Sequence, residues 1–365
     1  MGTKTRQVIK NYNGIISGPM KSIYLTPNKT LASLVKDISP ARYRIDQIWE
    51  GLYKQFYQHW EEFSNLPADL ITYLEENFLI SQLQPIDSIT SNDNNTQKFL
   101  FKLSDGLFIE AVHIKTENRN TICISTQVGC PVGCIFCATG AAGFHRNLSA
   151  DEIISQVSFF AHNLSKSGET ITNIVLMGMG DPFLNYEQTV RSVDFFNRSD
   201  TFNIGARRIT ISTIGIPDKV RKFAEIGKQY NLAISLHAPN DDLRQKLVPI
   251  AKKISLDSIL ESAQYYIEKT NRRITYEYVL IENINDMDVH AKELAYILKE
   301  QNCHVNLIAL NPNVHFEGNP PDDLTLRNFS QILLDNGIPT TVRNSQGAKI
   351  QAGCGQLSGQ YLKNK

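Results

Sequence analysis

The 365-residue sequence predicts an α/β protein built on a parallel sheet with right-handed crossovers, open or closed into a barrel. Three observations carry that expectation. From Thr121 onward, short apolar runs alternate with amphipathic segments of helical period. No short repeat, low-complexity tract or heptad pattern interrupts the alternation. The chain is also 42% hydrophobic, enough for a substantial core and more than one compact segment.

The elements follow in order. Residues 1–24 are polar with no clear period and read as a loose tail. Residues 25–82 read as a small N-terminal helical accessory domain. Leu31, Leu34 and Val35 share one helical face there, as do Ile45, Ile48, Trp49 and Leu52, and Asn65 and Pro67 suit a helix cap and first turn. Residues 83–119 read as a β-hairpin extension, in which KFLFKLSDGLFIEAVHI folds back at Ser104-Asp105-Gly106. Residues 120–345 read as the barrel core, with strands at TICIST, NIVLMGM, RRITIST, LAISLH, ITYEYVLI, HVNLIAL and PTTVRN. Helices lie between them, the first opening at Ser149-Ala150-Asp151-Glu152. Residues 346–365 form a glycine-containing C-terminal segment.

Lys+Arg 37 balances Asp+Glu 37, so no global charge favours nucleic acid, although phosphate contact needs only a local patch. Arg207-Arg208, Lys252-Lys253, Arg272-Arg273 and Lys349 are candidates for such contact, but solvated surface is the commoner use of basic pairs. Trp49, Tyr53, Phe56 and Tyr57 could stack on bases, but at helical spacing they more often fill a core. No apolar run is long enough to span a bilayer, and MGTKTRQVIKNYNG lacks the apolar stretch of a secretory signal. The expected location is cytoplasmic, where clustered cysteines point to metal or catalysis rather than to structural disulfides.

In this fold class chemistry sits at the C-terminal ends of the strands. The cysteines follow TICIST, Gly180-Asp181 follow NIVLM, and Ser212 lies in RRITIST. Ser235 and His237 end LAISLH, and Asn311 follows HVNLIAL, so all of these should converge on one rim. Cys130, Cys134 and Cys137 form a C-x-x-x-C-x-x-C run in GCPVGCIFCATG. Three thiolates on one short loop can hold three irons of a 4Fe–4S cube and leave the fourth open, as a catalytic site requires. Phe136 and Ile135 are placed to shield it. Zinc is the structural alternative, but it wants a fourth ligand that this loop does not supply.

Beyond the triplet, TICISTQVGCPVGCIFCATG, GFHRNLSADEI, MGMGDPFLN, RRITISTIGI, AISLHAPND, VNLIALNP and AGCGQLSGQ resemble the RlmN/Cfr family of radical S-adenosylmethionine (SAM) adenine-C methyltransferases. The resemblance runs from about Asp46 to about Gln360. It implies a partial (β/α)6 radical SAM barrel, with a 4Fe–4S cluster and SAM as cofactors. Cys130, Cys134 and Cys137 would hold the cluster. Gly180, Asp181, Ser212, Ser235, Leu236, His237 and Asn311 would line the SAM pocket. Cys354 would carry the methyl group, Cys123 would resolve the protein–RNA adduct through a transient disulfide with Cys354, and Glu110 would be the general base. The implied partners are an RNA substrate (23S rRNA, with tRNA as a second), an electron donor such as flavodoxin and a thiol reductant, with no membrane.

The chemistry explains why these residue types are needed. Adenine C2 is electron-poor and a sulfonium methyl is an electrophile, so polar transfer is mismatched and a radical route avoids the conflict. A thiolate is the side chain best suited to take the methyl first. Val128 in STQVGC and the HAPND run look more like the members that methylate C2 than like those that methylate C8, the alternative. Asp181 stands where the family has glutamate, Ala348-Lys349 where it has an acidic pair, and Gly353 where it has alanine. These changes flank the site and leave room for altered substrate or activity. Taken singly, Cys354, Cys123, Glu110 and His237 have plain structural uses as thiols, a surface carboxylate and a core histidine; the joint pattern favours chemistry. Two other classes remain open on sequence: a radical enzyme with another substrate, and a zinc-stabilised RNA-binding module.

Overall fold

The computed structural model describes residues 21–343 and 346–359. The sequence-read tail up to residue 20, residues 344–345 and the end of the C-terminal segment from 360 lie outside the described residues.

The N-terminal segment holds β1 (Lys21–Ser22), α1 (Asn28–Val35), α2 (Tyr43–Tyr53), α3 (Ala68–Asn77) and β2 (Phe78–Leu79). β1 pairs in parallel with β2, and Ile23 and Tyr24 are buried, so residues 21–24, read as part of a loose tail, are built into the fold. Pro67 occupies the N-cap of α3 in extended conformation, one place earlier than the first-turn site expected for it. Asn65 caps nothing; its carbonyl instead accepts a 2.8 Å bond from Arg44 Nη1. Trp49, Tyr53, Phe56 and Tyr57 pack in or against the core, as helical spacing favours: Tyr53 meets Phe195 and Phe202 edge-on, and Phe56 stacks on Phe202.

Ten strands form one sheet. Its antiparallel part is β3 (Gln84–Thr90), β4 (Thr96–Lys102), β5 (Phe108–Thr116) and β6 (Arg119–Cys123). β4 and β5 are the expected hairpin. β3 was illegible because it is a largely exposed edge strand with no apolar alternation. A separate ribbon of β7 (Gln127–Gly129) and β8 (Phe144–Asn147) flanks the cysteine loop, with α4 (Ala138–Ala141) between them.

The remaining elements are α5 (Ala150–Ser165), β9 (Asn173–Leu176), α6 (Tyr186–Asn197), β10 (Ile209–Thr213), α7 (Pro217–Ala224), β11 (Asn231–Ser235), α8 (Asp241–Leu247), α9 (Leu256–Thr270), β12 (Ile274–Leu280), α10 (Asp288–Leu298), β13 (Cys303–Ala309), α11 (Asp323–Asp335) and β14 (Thr340–Arg343). β6 and β9 to β14 run parallel in chain order with helices in every crossover, giving the partial (β/α)6 barrel. It does not close, since β14 and β3 are the two edges. α5 opens on a reciprocal capping box: Ser149 Oγ accepts from Glu152 N (3.2 Å) and Glu152 Oε2 accepts from Ser149 N (2.8 Å). Among the described residues no helix is long and apolar enough to cross a membrane.

Candidate functional site

The strand ends build a cleft of about 950 Å³, counting the open space at its mouth. Cys130, Cys134 and Cys137 line it from the loop after β7, and Cys354 and Gly355 line it from the C-terminal segment. Gly180 and Asp181 line it after β9, Ser212 from β10, Ser235 and His237 from β11, and Asn311 after β13. The expected convergence on one rim is therefore observed. Leu236 stands apart: its side chain is in the main core, its N–H donates to Glu277 O (3.0 Å) and its carbonyl accepts from Arg244 Nε (3.2 Å). Glu110 and Cys123 do not line this cleft.

The cysteine loop is fixed by its backbone. Cys130 N donates to Gly143 O (2.9 Å), Ile135 N to Leu247 O (3.1 Å) and Ala138 N to Gly355 O (2.7 Å). Phe136 is buried and meets the His237 ring edge-on at 5.0 Å, whereas Ile135, expected as a second shield, is 39% exposed. Burial pushes the Cys130 thiol up to about 12, opposed by N–H bonds from Val132 and Gly133. Burial also raises Cys134 well above its ordinary value, with Cys137 and Cys130 adding and Arg244 opposing. Each thiol must shed its proton to bind metal. Among the described residues no group of three His, Cys, Asp or Glu converges as the ligands of one ion do. Zinc would gather its ligands at about 2.3 Å from a single centre, whereas a cube takes each thiolate on a separate iron. Three cysteines lining one cleft are the donor type such a cube takes.

Asp181 is buried and bridges two loops: Oδ1 accepts from Phe183 N (2.8 Å) and Thr213 Oγ1 (2.9 Å), and Oδ2 accepts from Ile214 N (2.7 Å). It caps a local turn rather than α6, whose N-cap is Asn185. Burial raises its pKa, and these donors pull it back. Gly180 has φ +94°, and a Cβ there would lie 2.4 Å from Gln127 Cβ, so only glycine fits. Ser212 Oγ and Ser235 Oγ face each other across β10 and β11 at 3.5 Å.

His237 adopts φ +63° and its Nδ1 accepts from Val279 N (3.1 Å), the hydrogen-bonded core role that strand-end histidines often play. Burial, with Arg244 adding, holds it down to about 3. It stays neutral while its unfolded counterpart, near 6.5, takes up a proton, so it removes stability as pH falls through that window. The contribution reaches about 1.4 kcal/mol per pH unit. His237→Asn tolerates the left-handed backbone and can accept the Val279 N–H. In cofactor-free protein, urea unfolding should depend less steeply on pH between 6.5 and 4 in that variant than in the parent. Equal slopes would contradict the assignment.

Glu277 was missed. It lines the cleft from β12, is 5% exposed, and accepts from Asn306 Nδ2 (3.0 Å) while its Oε2 lacks a hydrogen-bond partner. Its pKa is raised by burial and lowered by Arg343, 3.8 Å away, and by Asn306. The legible signal was a charged residue inside the otherwise apolar run ITYEYVL.

The C-terminal segment lies across the mouth. Asn311 Nδ2 donates to Cys354 O (3.0 Å), Asn313 Nδ2 to Phe136 O (2.9 Å) and Thr139 Oγ1 to Leu357 O (2.5 Å). A Cβ on Gly353 would lie 2.9 Å from Asn311 Nδ2 and 3.0 Å from Gln356 Oε1, so glycine at this departure from the family lets the segment seat closely. Lys349 is exposed on the short turn Ala348–Ile350. A buried ion pair grips both ends of the segment. Lys98 Nζ lies 2.8 Å from Glu110 Oε1 and donates to Gln351 O (3.1 Å). Glu110 Oε2 accepts from Ser358 N (2.7 Å) and Gly359 N (2.9 Å). Glu110 is thus buried, not the solvated hairpin residue that its strand position alone favours.

A second cleft, of about 1100 Å³, adjoins the first and shares Met177, Ile308, Arg343 and Cys354 with it. Cys123, Arg119, Arg343, Gly353 and Cys354 line it. Cys354 therefore borders both clefts. Its open surface lies within them, where surrounding protein still raises the thiol; Arg343 opposes and Glu277 adds. The Cys123 thiol is pushed up to about 12 by burial and then by Cys354. Of the basic pairs, Arg207-Arg208 and Arg272-Arg273 precede β10 and β12, at the barrel end opposite the cysteines. They cannot flank the mouth; Lys252-Lys253 and Lys349 remain on its side.

Residues 124–295 match the model of the radical SAM superfamily. The chain is 46% identical over 323 residues to a probable dual-specificity RNA methyltransferase RlmN of Dictyoglomus thermophilum, covering 88% of this chain and 92% of that protein. It is 43% identical to the Thermotoga maritima protein of the same name (95% and 100% covered) and 42% identical to a ribosomal RNA large subunit methyltransferase N of Nitrosopumilus maritimus (93% and 98%). A solved radical SAM methyltransferase from Sphaerobacter thermophilus superposes with TM-score 0.90 at 42% identity, covering 94% of this chain and 100% of that one. With this similarity along most of its length, joined to a cysteine-lined cleft at the strand ends, the chain belongs to the RlmN/Cfr family of radical SAM adenine-C methyltransferases, enzymes that use a 4Fe–4S cluster and S-adenosylmethionine.

Proposed function

We propose that the protein methylates C2 of adenosine in 23S rRNA and in tRNA, with Cys354 carrying the methyl group between the two clefts. The observation that carries this reading is the position of Cys354 on both. The names of the relatives, dual-specificity RNA methyltransferases, support the substrate class. So do Arg119 and Arg343 beside the second cleft, where they can meet phosphates of a nucleotide turned out of its stack.

Cys130, Cys134 and Cys137 hold the cluster, and Gly180, Asp181, Ser212, Ser235, His237 and Asn311, joined by Glu277, surround the SAM. When bound, these cofactors supply a radical able to take a hydrogen atom from a methyl group. The protein does the rest. The Cys354 sulfur holds the methyl carbon and presents it to the base in the second cleft. Glu110 can take a proton only after Ser358 and Gly359 have left its carboxylate, which ties base action to undocking of the segment. The Cys123 thiolate then attacks the Cys354 sulfur and forms the Cys123–Cys354 disulfide; the bond from that sulfur to the carbon now joined to adenine breaks, and that carbon keeps the electron pair and takes up a proton to become the methyl group. A thiol reductant reopens the disulfide. An electron donor such as flavodoxin and a cytoplasmic location complete the reading.

Mass spectrometry of RNA from cells with and without the gene tests it. The proposal expects 2-methyladenosine to disappear from both 23S rRNA and tRNA on deletion. Loss of 8-methyladenosine instead would favour C8 chemistry, and an unchanged methyladenosine pool would refute RNA methylation.

A further inference from the structure

Arg244 is 0% exposed, on α8, behind the wall of the first cleft rather than lining it. Its Nε donates to Leu236 O (3.2 Å) and its Nη2 to Ile214 O (2.6 Å), the carbonyls just beyond the ends of β11 and β10. Its Nη1 is buried with no hydrogen-bond partner, and among the described residues no carboxylate lies within ion-pair distance. Asp241, three residues earlier on α8, acts on the guanidinium only from beyond that distance. A buried guanidinium with no anion in contact is costly, and one left so is rare in a stable core.

The surroundings indicate where the anion belongs. One turn after Arg244, Leu247 O accepts from Ile135 N in the cysteine loop (3.1 Å). Leu247 and Val248 share an apolar cluster with Val132 and Phe136, and the three cysteines pack against it. A 4Fe–4S cube with three thiolate ligands carries net negative charge, and more of it once reduced.

We propose that Arg244 is the internal counter-ion of the iron–sulfur cluster, its unpaired guanidinium compensating the thiolate-bound cube and raising its reduction potential. This rests on the assignment of Cys130, Cys134 and Cys137 to the cluster. In a low-dielectric wall the charge acts without contact, and it favours the reduced state because that state is the more negative. Arg244 is in this sense a tuning residue; it touches neither the nucleotide nor the methyl-carrying sulfur.

The test is an electron paramagnetic resonance redox titration of the anaerobically loaded protein, with dithionite as reductant. It compares the parent with Arg244→Gln, Arg244→Met and Arg244→Lys. The two neutral variants should lower the equilibrium constant for cluster reduction at least tenfold, a fall of about 59 mV for a one-electron couple. Arg244→Lys should stay near the parent. Neutral variants that fold but stay free of iron while Arg244→Lys loads would also support the charge. Neutral variants with an unmoved potential would overturn the proposal. So would their failure to fold at all, since the arginine would then serve the polypeptide. A parent protein that binds no iron or sulfide would instead refute the underlying cysteine assignment.

Discussion

Loaded with its cluster, the Cys354→Ala protein will transfer no methyl group to RNA, a loss of at least about 10³-fold. Alanine keeps the close seating of the segment, since Gly353 and Gly355 still allow it, and removes only the Cys354 sulfur, which borders both clefts. Cys123→Ala should fail differently. Cys123 borders the second cleft alone, so its loss leaves the methyl-bearing sulfur and the base intact but strands the adduct. The RNA should then migrate with the protein on a denaturing gel. Full turnover by Cys354→Ala would point to a radical enzyme that does not pass its methyl through sulfur.

Lys98→Met will destabilise the protein by about 3–5 kcal/mol, because it leaves the Glu110 carboxylate buried and unpaired. The two side chains are 5% and 4% exposed, so water cannot take over. The same change frees Gln351 O at one end of the C-terminal segment. Cys354 should therefore react faster with iodoacetamide, as undocking brings its raised thiol back toward ordinary acidity. Adding Glu110→Gln should recover part of the lost stability, since the unpaired charge disappears. Denaturant midpoints and alkylation rates measure both effects. A Lys98→Met protein of parental stability and reactivity would show that the pair does not hold the segment.

The barrel was legible because most of its strands bury at least one face and read as largely apolar runs, while the intervening helices keep their period. Ser149 and Glu152 marked α5 by a cap that forms as expected. What stayed hidden has physical causes. β1 is too short for a pattern and is held by a partner more than fifty residues away. β3 is an edge strand whose side chains mostly face water. The cysteines announced the site through spacing, and Glu277 showed only as a charge inside an apolar run; Arg244 looks like an ordinary charge until burial removes its solvent. Glu110 was singled out by resemblance, yet its grip on Ser358 and Gly359 joins segments 248 and 249 residues apart, which no local pattern encodes. Asp181 in place of glutamate shortens the side chain, and the fold uses it to tie the β9 and β10 loops together.

The central claim is that one sulfur ferries a methyl carbon from cofactor cleft to base cleft. Anaerobic incubation of the loaded parent protein with methyl-deuterated S-adenosylmethionine, followed by proteolysis and mass spectrometry, addresses it directly. The account predicts deuterated methyl on the peptide bearing Cys354 before any RNA is added, and its passage to adenine C2 afterwards with Cys354 returned to its unlabelled mass. Labelled adenine from a protein whose Cys354 never carries the label would contradict it.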